Sequence, residues 1–323
     1  MTLLDIDNLT VRFPSPRGTY RAVDGLSLSV DEGDVVGIVG ESGAGKSVSM
    51  LAVMGLVRWP GEVQADTLEF AGQDLKSLSN RKRRALSGKD IAMVFQEPTA
   101  SLNPCFSIGF QLTETIAAHE RGTAAGRRAR AIELLGRVGI AAPESRLSSF
   151  PHQLSGGMNQ RVMIAMAIAC RPRLLIADEP TSALDVTIQA QILDLLLELR
   201  REEGMAVILI THNMAVVAET TQRVIVMYAG QAVEESPADL ILSQPRHPYT
   251  AALLAALPER AWGQRRLQAI PGLVPGALDR PEGCLFNPRC TLAGERCRRQ
   301  APPELEADDG RVRCHTPLIG MRP

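Results

Sequence analysis

Residues Gly40-Glu41-Ser42-Gly43-Ala44-Gly45-Lys46-Ser47 make the most direct chemical demand in the chain. They fit the pattern G-x-x-x-x-G-K-[ST], in which glycines let the backbone curl until successive N–H groups face one anion. A helix starting at the same point adds the positive end of its dipole. Lys46 is expected to reach the outer phosphates of a nucleotide, and the Ser47 hydroxyl to hold Mg²⁺. The flanks agree: Val35–Val39 reads as a buried strand, and the apolar residues from Val48 to position 57 as the helix behind the loop. Lysine occurs only as Lys46, Lys76, Lys82 and Lys89, so its place in the pattern does not come from a lysine-rich composition.

A second set of residues complements the loop. Positions 174–177 are apolar and end in Asp178-Glu179. That is the placement of a strand delivering one carboxylate to Mg²⁺ and a second to an attacking water. Leu154-Ser155-Gly156-Gly157-Met158-Asn159-Gln160-Arg161 precedes an apolar helical run over 162–169. A serine and two glycines before a helix make another anion site by the same physics. Because the chain has one lysine-bearing loop, this second stretch is expected to serve a nucleotide held by another subunit. Gln96 and His212 each follow a short apolar strand pattern and are weak signals singly.

The hydrophobic pattern predicts the elements that must position these residues. Residues 3–13 alternate apolar and polar side chains and predict a strand, 14–18 a loop, and 22–30 a second strand. Asp31-Glu32-Gly33-Asp34 is a turn leading into the phosphate loop. A further strand and turn fall at 68–72, and a short buried strand at 91–95. Helical patterns at Ile108–His119 and over 127–138 dominate between Glu97 and Leu154, and strand character returns at 174–177, Ala206–Thr211 and Arg223–Tyr228. Strands alternating with helices predict a mainly parallel α/β sheet. The expected division is a first part of the core (1–96), an inserted helical subdomain (97–154) ending at the second glycine-rich stretch (154–161), the remainder of the core (155–235) and a Pro-, Arg- and Cys-rich C-terminal extension (236–323).

At 323 residues, 45% hydrophobic and 22% charged, the chain can bury a full core and has the composition of a globular protein. A net charge of −1 offers no global attraction to nucleic acid. The basic run Arg81-Lys82-Arg83-Arg84 reads as a solvated helix face. The first seven residues carry no signal-peptide pattern, and the longest apolar run, 162–170, falls short of the roughly 18–20 residues of a membrane span. A cytosolic chain is expected, working on any membrane through partners.

In this order and spacing the motifs resemble those of ATP-binding subunits of ABC transporters, over at least residues 1–235. Gly40 to Ser47 match Walker A, Gln96 the Q-loop, Leu154 to Gln160 the signature, Leu174 to Glu179 Walker B, Ser182-Ala183-Leu184-Asp185 the D-loop, and His212 the switch histidine. The resemblance implies a P-loop NTPase core with an N-terminal antiparallel β part, the inserted helical subdomain and the Cys-rich extension. It places ATP against Gly40, Glu41, Ser42, Gly43, Ala44, Gly45, Lys46, Ser47 and Val48, with Tyr20, or alternatively Phe13, on the adenine. Mg²⁺ would fall to Ser47, Gln96 and Asp178. Glu179 would orient the attacking water, Gln96 would contact it, and His212 would contact the γ-phosphate. Ser155, Gly156, Gly157 and Asp185 would act across a head-to-tail dimer. Asn159 stands where the family more often has Arg or Gln, and Asn213 follows His212 where Asp is usual.

Ser101-Leu102-Asn103-Pro104, Arg246-His247-Pro248-Tyr249-Thr250 and the cysteine-rich tail are similar to the dipeptide/oligopeptide/nickel importer subfamily, and most of all to ATPases of dipeptide permeases. That similarity implies uptake of short peptides, with nickel or another small solute as the alternative. It also implies a second homologous ATPase subunit in a heterodimer, two transmembrane permease subunits, an extracytoplasmic solute-binding protein, and a peripheral place on the cytoplasmic face of the membrane. A non-transport ABC ATPase acting on DNA or ribosomes fits less well, since the chain has one cassette and no basic stripe. A P-loop kinase would leave the signature and His212 unexplained.

Of six cysteines, Cys105 and Cys170 are expected as packed thiols. Cys284, Cys290, Cys297 and Cys314 are separated by five, six and sixteen residues. In a cytosolic chain this grouping points to metal binding rather than disulfides. Four thiolates suit tetrahedral Zn²⁺ or an iron–sulfur cluster, unligated thiols being the other option. The subfamily resemblance favours [4Fe–4S].

Overall fold

Apolar–polar alternation at the N-terminus builds an antiparallel hairpin of two long strands, β1 (Thr2–Ser15) and β2 (Gly18–Asp31). Leu4, Ile6, Leu9 and Val11 of β1 and Val23, Leu26, Leu28 and Val30 of β2 are buried. The expected loop at 14–18 is tighter than the sequence suggests. Ser15 Oγ donates to Gly18 O at 2.6 Å, and Gly18 at φ 123 lets the chain reverse within Pro16-Arg17. The remaining strands are β3 (Val35–Val39), β4 (Glu62–Gln64), β5 (Thr67–Phe70), β6 (Gln73–Asp74), β7 (Ile91–Val94), β8 (Leu174–Asp178), β9 (Ala206–Thr211), β10 (Arg223–Tyr228), β11 (Gln231–Pro237), β12 (Glu304–Ala307) and β13 (Gly310–Arg313). This computed structural model describes residues 1–97, 101–182, 184–257, 270–276, 278–307 and 309–318.

The chain divides into two units. The first comprises Asp31–Asp34 and Ser77–Ile208, with Met1. Its strands run in the order β9-β8-β7, and β7 and β8 are parallel, Ile91 opposite Leu174 and Val94 opposite Ala177. Every residue of β7 and β8 is buried, as continuous apolar runs covered on both faces require. Helices Ile108–His119 and Ala124–Arg137 pack on each other, and Ile108, Leu112 and Ile116 of one and Ala131, Leu134 and Leu135 of the other are buried. Ser107 and Thr123 cap their first turns by accepting from Phe110 N and Gly126 N. Arg137 closes the second helix on Glu202 (2.7 Å) and Glu203 (2.6 Å) of helix Val186–Glu203. Helix Asn80–Leu86, which carries the basic run, buries none of its residues.

The second unit comprises Thr2–Val30, Val35–Lys76 and the chain from Leu209 onward. One sheet has the order β2-β1-β5-β6, with β4 also on β1. Its β5–β6 turn passes through Ala71 and Gly72 at φ 50 and 75. The other sheet runs β12-β13-β11-β10-β3 in this unit. Here β10 is parallel to β3, whereas β11, β13 and β12 add antiparallel strands. The expected mainly parallel sheet is thus mixed at this end, because Ala229 and Gly230, at φ 46 and 90, reverse the chain directly from β10 into β11. Tyr228, Tyr249 and Phe286 form an aromatic cluster with ring centroids 4.7–5.3 Å apart, packed with Val39, Val217 and Val226. The C-terminal segment therefore belongs to the core beneath the phosphate loop. Among the described residues no helix is long and apolar enough to cross a membrane.

Candidate functional site

The phosphate loop leaves the buried strand β3 at Gly40 and enters helix Lys46–Met54 with Gly45 at its N-cap. Two glycines are required here by space as well as by dihedral angle. A Cβ on Gly40 (φ 153) would lie 2.2 Å from Met227 O, and one on Gly45 (φ 95) would lie 2.5 Å from Ala22 O. Gly43 is also left-handed, at φ 81. No side chain caps the helix, so its first-turn amides meet no capping oxygen from the N-cap residue. Lys46 is only 5% exposed, and its ammonium donates to Gly40 O (2.8 Å) and Glu41 O (3.1 Å), which holds the cation inside the curl of the loop. Positive-φ glycines, an uncapped helix start and a buried lysine fit a polyphosphate. Tyr20 and Phe13, the two candidates for the adenine face, are one stacked pair, 5.4 Å apart and inclined by 21°.

The acidic residues belong to the first unit. β8 delivers Asp178, 5% exposed, and the chain turns at once through Glu179 at φ 45. A non-glycine residue in this region carries backbone strain of the kind concentrated at functional sites. Gln96 Nε2 donates to Glu179 Oε2 at 3.1 Å, so two residues 83 positions apart meet. Ser182 Oγ ties the same turn to Glu179 O (3.1 Å) and Gln96 O (3.3 Å). Asp185 caps helix Val186–Glu203 by accepting from Ile188 N at 3.0 Å. Gln189 Nε2 reaches back to Thr181 O and Leu184 O. Ala183 of this stretch lies outside the described residues.

In the same unit Ser155 caps helix Gly156–Ala167, accepting from Met158 N, and Ser155 and Gly156 are exposed. The unusual Asn159 is buried, 3% exposed, and its amide donates to Pro151 O at 3.0 Å. Arg161 anchors the helix through Val138 O (2.6 Å) and Gln191 Oε1 (3.1 Å). In the second unit His212 is exposed at the end of β9. Asn213 caps the following helix Met214–Thr220, accepting from Ala215 N and Val216 N, a role an aspartate fills equally well.

In the second unit, three residues of the C-terminal segment pair with the N-terminal part of the chain in contacts that no sequence signal gave. Arg289 forms a fork with both carboxylate oxygens of Glu41, at 2.7 and 3.0 Å. Glu41 N donates to Tyr249 OH at 2.9 Å. Arg280 pairs with Asp24 at 2.7 Å. Each pairing spans more than two hundred positions, so no local pattern could have announced it.

The cysteine expectation needs correction. Cys284, Cys290, Cys297 and Cys314 line one small cavity with His247 and His315. Among the described residues, however, no three His, Cys, Asp or Glu side chains form a group able to hold a metal ion. The expected [4Fe–4S] cluster on these four cysteines, and zinc with it, is not supported. Burial pushes the thiols of Cys284 and Cys290 up and that of Cys314 to about 11. Burial likewise lowers His247 to about 3, and its neutral ring accepts from Tyr249 N at 3.0 Å. Cys170 is buried as expected, whereas Cys105 is exposed.

Comparison with known proteins agrees with this geometry. The profile of the ABC transporter family matches residues 23–182, and that of the oligopeptide/dipeptide transporter C-terminal region matches residues 233–297. The dipeptide transport ATP-binding protein DppD of Escherichia coli is 59% identical over 98% of each chain. DppD of Haemophilus influenzae is 57% identical over 98% of this chain and 96% of its own. Among solved structures, the post-hydrolysis dimer of the ATP-binding cassette MJ0796 bound to ADP and Pi superposes with a TM-score of 0.64 at 29% identity, over 73% of this chain and 99% of that one. The chain belongs to the ABC transporter family of ATP-binding proteins, with a P-loop NTPase fold and the C-terminal region of oligopeptide/dipeptide transporters.

Proposed function

We propose that this protein is the ATP-hydrolysing subunit of a membrane importer of short peptides. The observation that carries the reading is the phosphate loop, with its buried Lys46 bonded to Gly40 O and Glu41 O inside a glycine curl that excludes side chains. Gly40 to Val48 bind the phosphates of ATP, with Lys46 facing the β- and γ-phosphates and the helix start behind them. Ser47, Asp178 and Gln96 supply hydroxyl, carboxylate and amide oxygens, a hard donor set that suits Mg²⁺. Bound there, Mg²⁺ would neutralise charge on the β- and γ-phosphates. Glu179 orients the attacking water and accepts its proton, and Gln96 Nε2 donates to its Oε2 at 3.1 Å. His212 contacts the γ-phosphate from the end of β9, and the Tyr20–Phe13 stack offers its tyrosine to adenine.

The stretch Ser155-Gly156-Gly157, with Ser155 and Gly156 exposed at the start of a 12-residue helix, acts on a nucleotide held by a second, homologous ATPase subunit, as does Asp185. We place the chain peripherally on the cytoplasmic face of the membrane, attached through the helical stretch 97–154 to two permease subunits and fed by an extracytoplasmic binding protein. Support for peptide cargo comes from the C-terminal region and from the names of the two DppD relatives. The test is ATP hydrolysis by the reconstituted importer. Stimulation by peptide-loaded binding protein is expected, and stimulation by nickel complexes alone would replace the cargo while keeping the motor.

A further inference from the structure

The C-terminal segment grips the phosphate loop from two sides. On one side stands Arg289, 6% exposed. Its Nη1 and Nη2 bond Glu41 Oε2 and Oε1 at 2.7 and 3.0 Å, its Nε donates to Pro271 O at 2.8 Å, and its plane lies over the Tyr228 ring, 5.7 Å from the centroid. Tyr249, fully buried, accepts from Glu41 N, so main chain and side chain of the same loop residue are both held. On the other side Arg280 binds Asp24, Arg21 O (2.6 Å) and Ala229 O (2.7 Å). This fixes the Ala229-Gly230 turn, whose Gly230 N donates to Ala44 O at 2.9 Å.

Glu41 poses an electrostatic problem at this point. It places a carboxylate in the loop that must receive a polyphosphate, and like charges at short range repel. A buried bidentate guanidinium both neutralises such a carboxylate and fixes its direction, which a lysine could not do. We infer that Arg289 is a positioning residue of the nucleotide site: by pinning and neutralising Glu41 it lets an acid-bearing phosphate loop accept ATP, and so makes the C-terminal segment part of the ATP site. The inference rests on the phosphate loop binding ATP, as proposed above.

Its test uses the full chain for ATP binding and the reconstituted importer for turnover. Arg289→Met removes the charge and retains an apolar stem. Its dissociation constant and KM for ATP are expected to rise about tenfold, equivalent to about 1.4 kcal/mol. The kcat should stay within about twofold, because the group acts on binding rather than on the reacting atoms. The defect should shrink at high salt, which screens the uncompensated charge of the half-buried Glu41. Arg289→Met combined with Glu41→Gln should recover most of the lost affinity. A merely structural arginine predicts instead a defect that is insensitive to salt and no smaller in the double variant, and that result overturns the inference. Unchanged KM in Arg289→Met overturns it as well. Should Arg289→Met not fold, Arg289→Lys keeps the charge but not the fork. An ATP KM raised, but by less than tenfold, is then expected, and wild-type KM refutes the fork. A wild-type chain that fails to bind ATP refutes the proposed function itself, whereas normal wild-type binding with an indifferent Arg289 variant refutes this inference alone.

Discussion

Replacing Gly45 by alanine separates the two constraints on the phosphate loop. Gly45 adopts φ 95, and an added Cβ would stand 2.5 Å from Ala22 O and 3.2 Å from Gly230 Cα, both backbone atoms of ordered strands and turns. The left-handed backbone with a Cβ costs about 1–2 kcal/mol. Relieving the clash moves β2 or the β10–β11 turn at about 1–3 kcal/mol more. Gly43 is the internal control: its φ is 81, but nothing lies within 4 Å of an added Cβ. Gly43→Ala therefore carries only the first cost, and Gly45→Ala both, about 2–5 kcal/mol in all. At about 2–4 °C per kcal/mol, Gly45→Ala should melt about 4–20 °C below wild type and Gly43→Ala about 2–8 °C below. The assay is thermal unfolding of the nucleotide-free chain by circular dichroism, with urea midpoints as a check. Equal melting temperatures for the two variants would refute the reasoning, since the Ala22 and Gly230 contacts are what distinguishes them.

Two further outcomes follow from burial and charge. Burial raises Asp24, but the hydrogen bond from Arg21 and the charges of Arg280 and Arg21 outweigh it and hold the carboxyl below its ordinary range. A depressed folded value contributes stability that is present above the unfolded value of about 4 and is lost as pH falls through the folded one. The urea midpoint of wild type should therefore exceed that of Asp24→Asn at pH 7, and the gap should close as the pH is lowered below about 4. A gap independent of pH would contradict the assignment. For the thiols, iodoacetamide at pH 8 should modify the exposed Cys105 rapidly and the buried Cys314, whose thiol is pushed up to about 11, only on unfolding. Mass spectrometry of the labelled chain reads both, and equal rates would argue against the burial of Cys314.

Local patterns carried much of the scaffold. Ala206–Thr211 and Arg223–Tyr228 were legible because each holds an unbroken apolar run, 206–210 and 224–228, bounded by polar residues. Gly40 to Ser47 was legible because its demand on backbone dihedrals is written in glycines at fixed spacing. The loop at 14–18 was misjudged because a serine–carbonyl bond across Gly18 extends β1 past Pro14. The cysteines misled for a different reason: spacing counts residues along the chain, whereas ligation depends on where the sulfurs point and on their ionisation. The pairings of Arg289, Tyr249 and Arg280 were invisible because their partners Glu41 and Asp24 lie in the N-terminal part of the chain, and a pairing across that separation leaves no periodicity to read.

The central claim, a peptide-driven ATPase with Glu179 as its base, is most directly tested by comparing wild type and Glu179→Gln in the reconstituted importer, measuring ATP binding and hydrolysis together. The account predicts that wild-type hydrolysis rises with peptide-loaded binding protein, and that Glu179→Gln binds ATP as tightly while turning over about 10²–10⁴-fold more slowly. Hydrolysis by Glu179→Gln at the wild-type rate, or wild-type hydrolysis indifferent to peptide, would contradict it.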